Sequence, residues 1–385
     1  MKTIRVLHII QSLRGYGAEH LLFALLPLLR SETVAVGVLA VYASNLKAGE
    51  IEALGCPAID LGRRRRSDYS FPLRLVREIG QFAPDIVHTH MHVGKYWGRV
   101  AARLAGAPIL VHTEHNPCDL RRSALERLLD PMLSRGTDCI ITFLTEQGRM
   151  LSRIDRIPPE KVAIIPNGIE PGRTATREQR VQGRRLLGVS DEELAVLLIG
   201  RLEYQKNQSL ALLTLAALPE GLRARVRLFL LGSGSEERML RDVVRQHGLR
   251  ANVVFLGYRN DVSSLLPGGD LVLMTSRFEG MPLTLIEAML AGVPILTTPW
   301  IGSRSMLGDG AFGFVAQDWH PQTLASMLER IADSAAERAE VAARARDHAV
   351  QAYDIHRMAE AYRDLYVRLS RERSVTGAPA RAAAL

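Results

Sequence analysis

The chain is poor in cysteine, with Cys56, Cys118 and Cys139 its only three among 385 residues. An odd, scattered set gives no disulfide framework and fits a reducing compartment. No Cys-x-x-Cys pair and no Cys/His zinc spacing occurs. Aromatic residues make up only 5% and do not interleave with basic ones, so the stacking platform of a single-strand nucleic-acid binder is missing. There is no Walker phosphate loop. No apolar run reaches the roughly 18–20 residues of a membrane span. The greasiest stretch, HLLFALLPLLR, is too short and contains Pro27; it reads as a core helix or as a helix lying on a membrane surface. MKTIRVLHII lacks a small-residue cleavage site and reads as a strand, not a signal peptide.

What is present points to a folded, two-domain chain. Hydrophobic residues reach 47%, and 385 residues exceed one compact core. The net charge of +8 favours anionic partners: nucleic acid, an acidic membrane face or phosphorylated substrates. The densest basic run, Arg63 to Arg66, reads as a solvated loop or as a contact for anionic lipid.

Short apolar runs alternate with helix-length amphipathic stretches, and the pattern occurs twice. IRVLHII, VAVGVLAV, DIVHTH, PILVHTEH, CIITF and VAIIPNG are the strand candidates of the first half; AVLLIG, VRLFLLG, NVVFLG, LVLMTS, PILTT and AFGFVA are those of the second. Strands buried on both faces and separated by helices predict two doubly wound parallel α/β sheets. The expected organisation is a first domain over 1–171, an Arg-rich linker over 172–190, a second domain over 191–353, a closing helix over 354–372 and a loose tail over 373–385.

Parallel α/β sheets bind ligands at the carboxyl ends of their strands, so the residues there are the candidates. After the first strand, Gly15 and Gly17 allow close approach of a ligand or simply a tight turn. A dinucleotide fingerprint fails, because His20 stands where the third glycine belongs and no acid follows the second strand. His88, His90 and His92 could bind metal, brace the fold or touch substrate; His115, followed by Asn116 and Pro117, is the better contact. In the second half Arg201 and Lys206 flank a strand-to-helix turn, where two cations suit a diphosphate. RFEGMPLTLIEAMLAG places Glu279 in a Gly/Pro loop and Glu287 on the following helix, which Pro282 opens as its first residue. Glu287 borders the face of Leu283, Ile286 and Leu290. A carboxylate there needs a hydrogen-bonding partner, either a protein group or a ligand hydroxyl.

At this point the residues resemble glycosyltransferase family 4, the retaining GT-B enzymes. Glu279 and Glu287 match the family's Glu-x7-Glu motif, and IGRLEYQKN, IIPNGIE, GYGAEH, HTEH and DIHRMAEAYRDLYVRL resemble further family segments. The resemblance implies a GT-B fold: two Rossmann-like domains facing across a cleft, with the C-terminal helix crossing back to the first. It also implies a sugar-nucleotide donor, such as a UDP-sugar, and a glycan or lipid-linked acceptor. By position, Arg201 and Lys206 would hold the diphosphate, and backbone around Gly280, Met281, Leu283 and Thr284 the sugar and phosphate. Glu279 would bind sugar hydroxyls, Glu287 the ribose, and Gly17 would approach the phosphates. His115 would contact the reacting sugar or the acceptor, with His90 and Asn116 on the acceptor. No metal or other cofactor is expected, and no Asp-x-Asp motif occurs. The setting expected is cytoplasmic, with no nucleic-acid partner; attachment at the inner membrane face is a separate expectation from Arg63 to Arg66 and the Leu-rich helix. Two other readings are a non-catalytic sugar-nucleotide-binding scaffold and a GT-B epimerase. WIGSRSMLGDG departs from the family by placing Ser305 or Met306 where an acid is usual.

Overall fold

A computed structural model describes residues 3–13, 17–44, 50, 53–65, 67–116, 122–170 and 175–376. Gly15, Arg66, Pro117, Cys118 and the end of the chain beyond 376 lie outside the described residues. The chain divides into two compact units, Met1–Gly168 with Ile355–Leu385, and Ile169–Asp354.

In the first unit the strands are β1 (Ile4–Ile10), β2 (Val34–Tyr42), β3 (Ala58–Arg63), β4 (Ile86–His90), β5 (Ile109–Thr113), β6 (Cys139–Thr142) and β7 (Val162–Ile164). They form one parallel sheet in the order β3-β2-β1-β4-β5-β6-β7. Six of the seven were legible in the sequence. β3, AIDLGR, was not: it is an edge strand paired only with β2, so polar Asp60 and Gly62 are tolerated. Strand alternation sends Leu7 and Ile9 into a core with the helix Phe71–Phe82 on one face. The intervening His8 faces the other side, which the helices Ala18–Leu29 and Ile355–Thr376 cover. The Leu-rich stretch forms a helix whose Leu21, Leu22, Leu25, Leu26 and Leu29 are buried, as its core reading expects.

In the second unit β8 (Leu194–Ile199), β9 (Val226–Leu231), β10 (Val253–Gly257), β11 (Leu271–Met274), β12 (Ile295–Thr297) and β13 (Phe314–Val315) form a parallel sheet in the order β10-β9-β8-β11-β12-β13. Its central strand β8 is apolar without alternation: Ala195, Val196, Leu197 and Leu198 are all buried, as a sheet covered on both faces requires. The stretch 172–190 expected as a linker holds the helix Arg177–Leu187, capped by a Thr176/Gln179 capping box. Two of its arginines are tied into the unit. Arg180 and Arg184 reach Asp270 at 2.6 and 2.8 Å, and Asp270 also accepts from the Ala195 amide at 2.8 Å. The last helix, Ile355–Thr376, belongs to the first unit and carries residues 373–376 of the expected tail.

Candidate active site

In each sheet the strand order reverses once, between β1 and β4 and between β8 and β11. The carboxyl ends at such a reversal splay apart and leave a crevice. The sequence candidates sit at or near these ends.

In the second unit two loops are laced together there. Glu279 is 4% exposed and accepts hydrogen bonds from Lys206 Nζ at 2.6 Å, Ser276 Oγ at 2.6 Å and Gln205 Nε2 at 3.1 Å. Gln205 Nε2 also donates to the Phe278 carbonyl, and the Arg277 amide donates to the Gln205 carbonyl. A buried carboxylate is tolerable here because a cation and two neutral donors surround it. Gly200 makes room for the cation: a Cβ at that position would lie 3.0 Å from the Lys206 side chain. Ser276 is fixed in turn, its carbonyl accepting from Thr298 Oγ1 at 2.6 Å and from the exposed Trp319 indole at 3.2 Å.

Arg201, two residues past β8, is exposed and bridged to Glu203 at 2.9 Å. Gly280 and Met281 are buried in the turn, and Leu283 and Thr284 are half-buried at the start of the helix Leu283–Ala291. Pro282 is the residue before that helix and not its first: its ψ of 123° is extended. Glu287, one turn further on, is half-buried. Arg201, Lys206, Glu279 and the start of this helix thus converge at the β8/β11 reversal. Sequence reasoning missed Gln205, Ser276 and Thr298; the available signal was their position in strand-end loops of the same sheet.

In the first unit Gly17 precedes the helix Ala18–Leu29 with φ of 61°, a left-handed value that suits glycine. Glu19, 7% exposed, accepts from Ser12 Oγ at 2.7 Å and ties the start of that helix to the end of β1. His115 follows β5 and is half-exposed, while Asn116 is exposed. The packing around His115 still pushes its basicity down to about 4, so the ring is neutral. The adjoining Glu114 is held ionised: burial pushes its pKa up, but Lys95 at 2.8 Å and His112 more than offset this. Lys95 also reaches Asp130 at 3.0 Å, which anchors the β5 loop to the helix Ala124–Arg135.

His90 departs from the expectation of an acceptor contact. It is 3% exposed, with its ring nitrogens turned to His8 and His115, so it lies behind His115 and cannot meet a ligand directly. The triplet His88, His90 and His92 does not assemble either, because His92 points out toward Glu126. The cluster that forms is His8, His88 and His90, with ring nitrogens within 4.8 Å of one another. Each already hydrogen-bonds neighbouring side chains, which fits satisfied histidines better than ligands awaiting an ion. His8 was missed in the sequence, where β1 reads as plain core.

Comparison with known proteins follows the same division. Residues 16–173 match the model described as Glycosyltransferase Family 4, and residues 182–348 that described as Glycosyl transferases group 1. The UDP-Gal:alpha-D-GlcNAc-diphosphoundecaprenol alpha-1,3-galactosyltransferase of Escherichia coli is 25% identical over 293 residues, covering 74% of this chain and 75% of that protein. The lipopolysaccharide glucosyltransferase WaaG of Escherichia coli K12 is 30% identical over 211 residues, covering 54% and 56%. Among solved structures, Anabaena HepE in complex with UDP-glucose superposes with a TM-score of 0.83 at 22% identity, covering 94% of this chain and all of that one. Two family models that together take in most of the sequence, on two parallel sheets of this topology, identify the chain: it belongs to glycosyltransferase family 4 and is a glycosyltransferase of the GT-B fold.

Proposed function

We propose that this enzyme transfers a sugar from a UDP-sugar to a glycan or lipid-linked acceptor, with retention at the anomeric carbon, in cell-surface polysaccharide or glycolipid synthesis. The observation that carries the donor reading is the Lys206–Glu279 pair at the β8/β11 reversal. The donor diphosphate takes Lys206 and Arg201, and the sugar hydroxyls take the carboxylate oxygens of Glu279. The start of the helix Leu283–Ala291 adds backbone amides and the positive end of its dipole. Negative charge growing on the departing nucleotide is stabilised by these fixed groups, without a metal. Glu287 accepts from the ribose. His115 is offered to the sugar or acceptor as a neutral imidazole, beside Asn116. The names of the relatives support the substrate class: one uses UDP-Gal and a diphosphoundecaprenol-linked acceptor, and HepE has been crystallised with UDP-glucose.

A lipid-linked acceptor brings the enzyme to an anionic membrane, peripherally at its inner face. No helix among the described residues is long and apolar enough to cross one. Arg63 stacks on Phe71 at 3.8 Å, which leaves Arg64 and Arg65 as the exposed part of the basic run among the described residues. Exposed Leu125, Leu128 and Met132 on the helix Ala124–Arg135 supply apolar contacts. Co-sedimentation with anionic but not neutral vesicles, lost in high salt, checks this.

The donor test is a thermal-shift series with UDP, GDP, ADP and their sugar conjugates. UDP and UDP-sugars are expected to raise the Tm of the wild type, and to raise that of Glu287→Ala less. The largest shift from GDP or ADP overturns the UDP assignment, and inverted product stereochemistry overturns retention. Interconversion of the sugar nucleotide without acceptor would point to the epimerase reading, and binding without transfer to the scaffold.

A further inference from the structure

Behind His115 runs a continuous hydrogen-bonded path that the proposed chemistry leaves unassigned. His8 in β1 and His88 in β4 are register partners, and His90 lies two residues on, so all three imidazoles project from one face of the sheet. The helix Ile355–Thr376 covers that face with Tyr362 and Tyr366, both buried. Tyr366 Oη lies 2.7 Å from His88 Nδ1 and 3.5 Å from His8 Nε2. His8 Nδ1 lies 3.0 Å from His90 Nε2, and His90 Nδ1 lies 3.4 Å from His115 Nε2. At the other end His88 Nε2 meets Thr113 Oγ1 at 2.7 Å. Every member is buried except His115, which reaches the surface.

A neutral imidazole has one N–H and one lone pair. In a chain of such rings each link needs one donor and one acceptor, so fixing one tautomer fixes the next. If Tyr366 donates to His8 Nε2, then His8 donates to His90, and His90 Nδ1–H donates to His115 Nε2. The proton of His115 is then on Nδ1. Reversing the direction puts it on Nε2 instead. Burial keeps the rings neutral, which holds the chain to these two arrangements. Imidazoles buried this deeply need hydrogen-bond partners, and this path supplies them to His8, His88 and His90. Core packing alone would not require the path to end at a surface histidine.

We propose that His8, His90 and Tyr366 are positioning residues for His115. Their hydrogen-bond chain fixes the tautomer and orientation of the His115 ring, so a hydroxyl on the last helix sets how that imidazole meets a sugar or acceptor hydroxyl. The functional part of this inference rests on the reading of His115 as a site residue.

The test uses the full chain with ¹⁵N-labelled histidine, and the variants Tyr366→Phe, His90→Gln and His115→Ala. Tyr366→Phe keeps the ring and removes only the hydroxyl; His90→Gln reads the middle of the path should the helix not accept Phe. Imidazole ¹⁵N shifts report the tautomer of His115, and UDP release from UDP-glucose reports turnover. Tyr366→Phe is expected to change the His115 shift pair. It is expected to lower kcat about five- to tenfold, the worth of one lost hydrogen bond, with KM nearly unchanged. Unchanged His115 shifts in both path variants overturn the inference, even if His115→Ala is slow. A His115→Ala enzyme with wild-type kcat overturns the site reading and the functional part of this inference together.

Discussion

Removing Lys206 tests the site from two directions. Lys206 Nζ sits 2.6 Å from Glu279 Oε1, with side-chain exposures of 18% and 5%. Deleting one partner of a buried ion pair typically costs about 3–5 kcal/mol, because the other charge is left in a poorly solvated place. Glu279 keeps the Ser276 hydroxyl and the Gln205 amide. Lys206 is also partly exposed, so about 2 kcal/mol is expected for Lys206→Ala. For a unit of this size that lowers Tm by about 4–8 °C. Transfer should fall much further, by about a hundredfold or more, if the cation lost is the one proposed to meet the diphosphate. Adding Glu279→Gln removes the stranded charge. The double variant should therefore regain about half of the lost stability while remaining inactive, a coupling in a double-mutant cycle of about 1 kcal/mol plus whatever Glu279→Gln costs alone. Differential scanning fluorimetry and a UDP-release assay on the four proteins suffice. A Lys206→Ala protein that melts within a degree of wild type and turns over normally would refute both the pair's energetic role and the diphosphate assignment.

Asp270→Asn should destabilise the second unit by about 1–2 kcal/mol at neutral pH, because the buried Arg184 loses its carboxylate partner. Burial pushes the Asp270 pKa up, but the Ala195 amide and the two guanidiniums hold it below the ordinary value. Its stabilisation is present above about pH 3.9 and lost as pH falls through the lower folded value, so denaturation curves of the two proteins should converge below about pH 4. The first unit should lose stability at milder acidity. Burial pushes His8 down to about 3 and His112 and His115 to about 4, so below their ordinary 6.5 the unfolded chain binds more protons. The penalty is absent above pH 6.5 and grows by up to about 1.4 kcal/mol per pH unit for each histidine until the folded values are reached; a urea midpoint unchanged between pH 7.5 and 5.5 would contradict it. Gly183→Ala should cost about 1–3 kcal/mol, because its Cβ would fall 2.6 Å from the Gly268 amide nitrogen and the helix must retreat; an unchanged urea midpoint would show that the helix Arg177–Leu187 is not seated there.

Most of the parallel strands, and the convergence of the second-unit candidates at strand ends, were legible because both are local patterns. A buried parallel strand is a short apolar run, and Lys206 and Glu279 sit in strand-to-helix loops, Glu279 beside Gly280 and Pro282, with Glu287 on the helix that follows. What escaped depends on partners distant in sequence. Arg180 and Arg184 look like linker charges until Asp270 is placed between them, and only the strand order does that. Arg63 looks like one of four solvated arginines until Phe71 lies under it. His8 looks like a core residue because its meaning comes from register: β1 beside β4 turns two separate strand histidines into neighbours, and Tyr366 then joins them from the last helix. His90 was misread for the same reason. A histidine near a strand end can face the crevice or the covering helix, and sequence alone cannot choose which face a parallel strand gives to which layer. In this fold the local grammar therefore marks the strand-end loops, while sheet register decides which polar side chains face outward there and which stand behind. The same rule makes the histidine path a register-dependent feature: it needs imidazoles at matched positions of β1 and β4 and a hydroxyl on the covering helix, and losing any one of them breaks its link to His115.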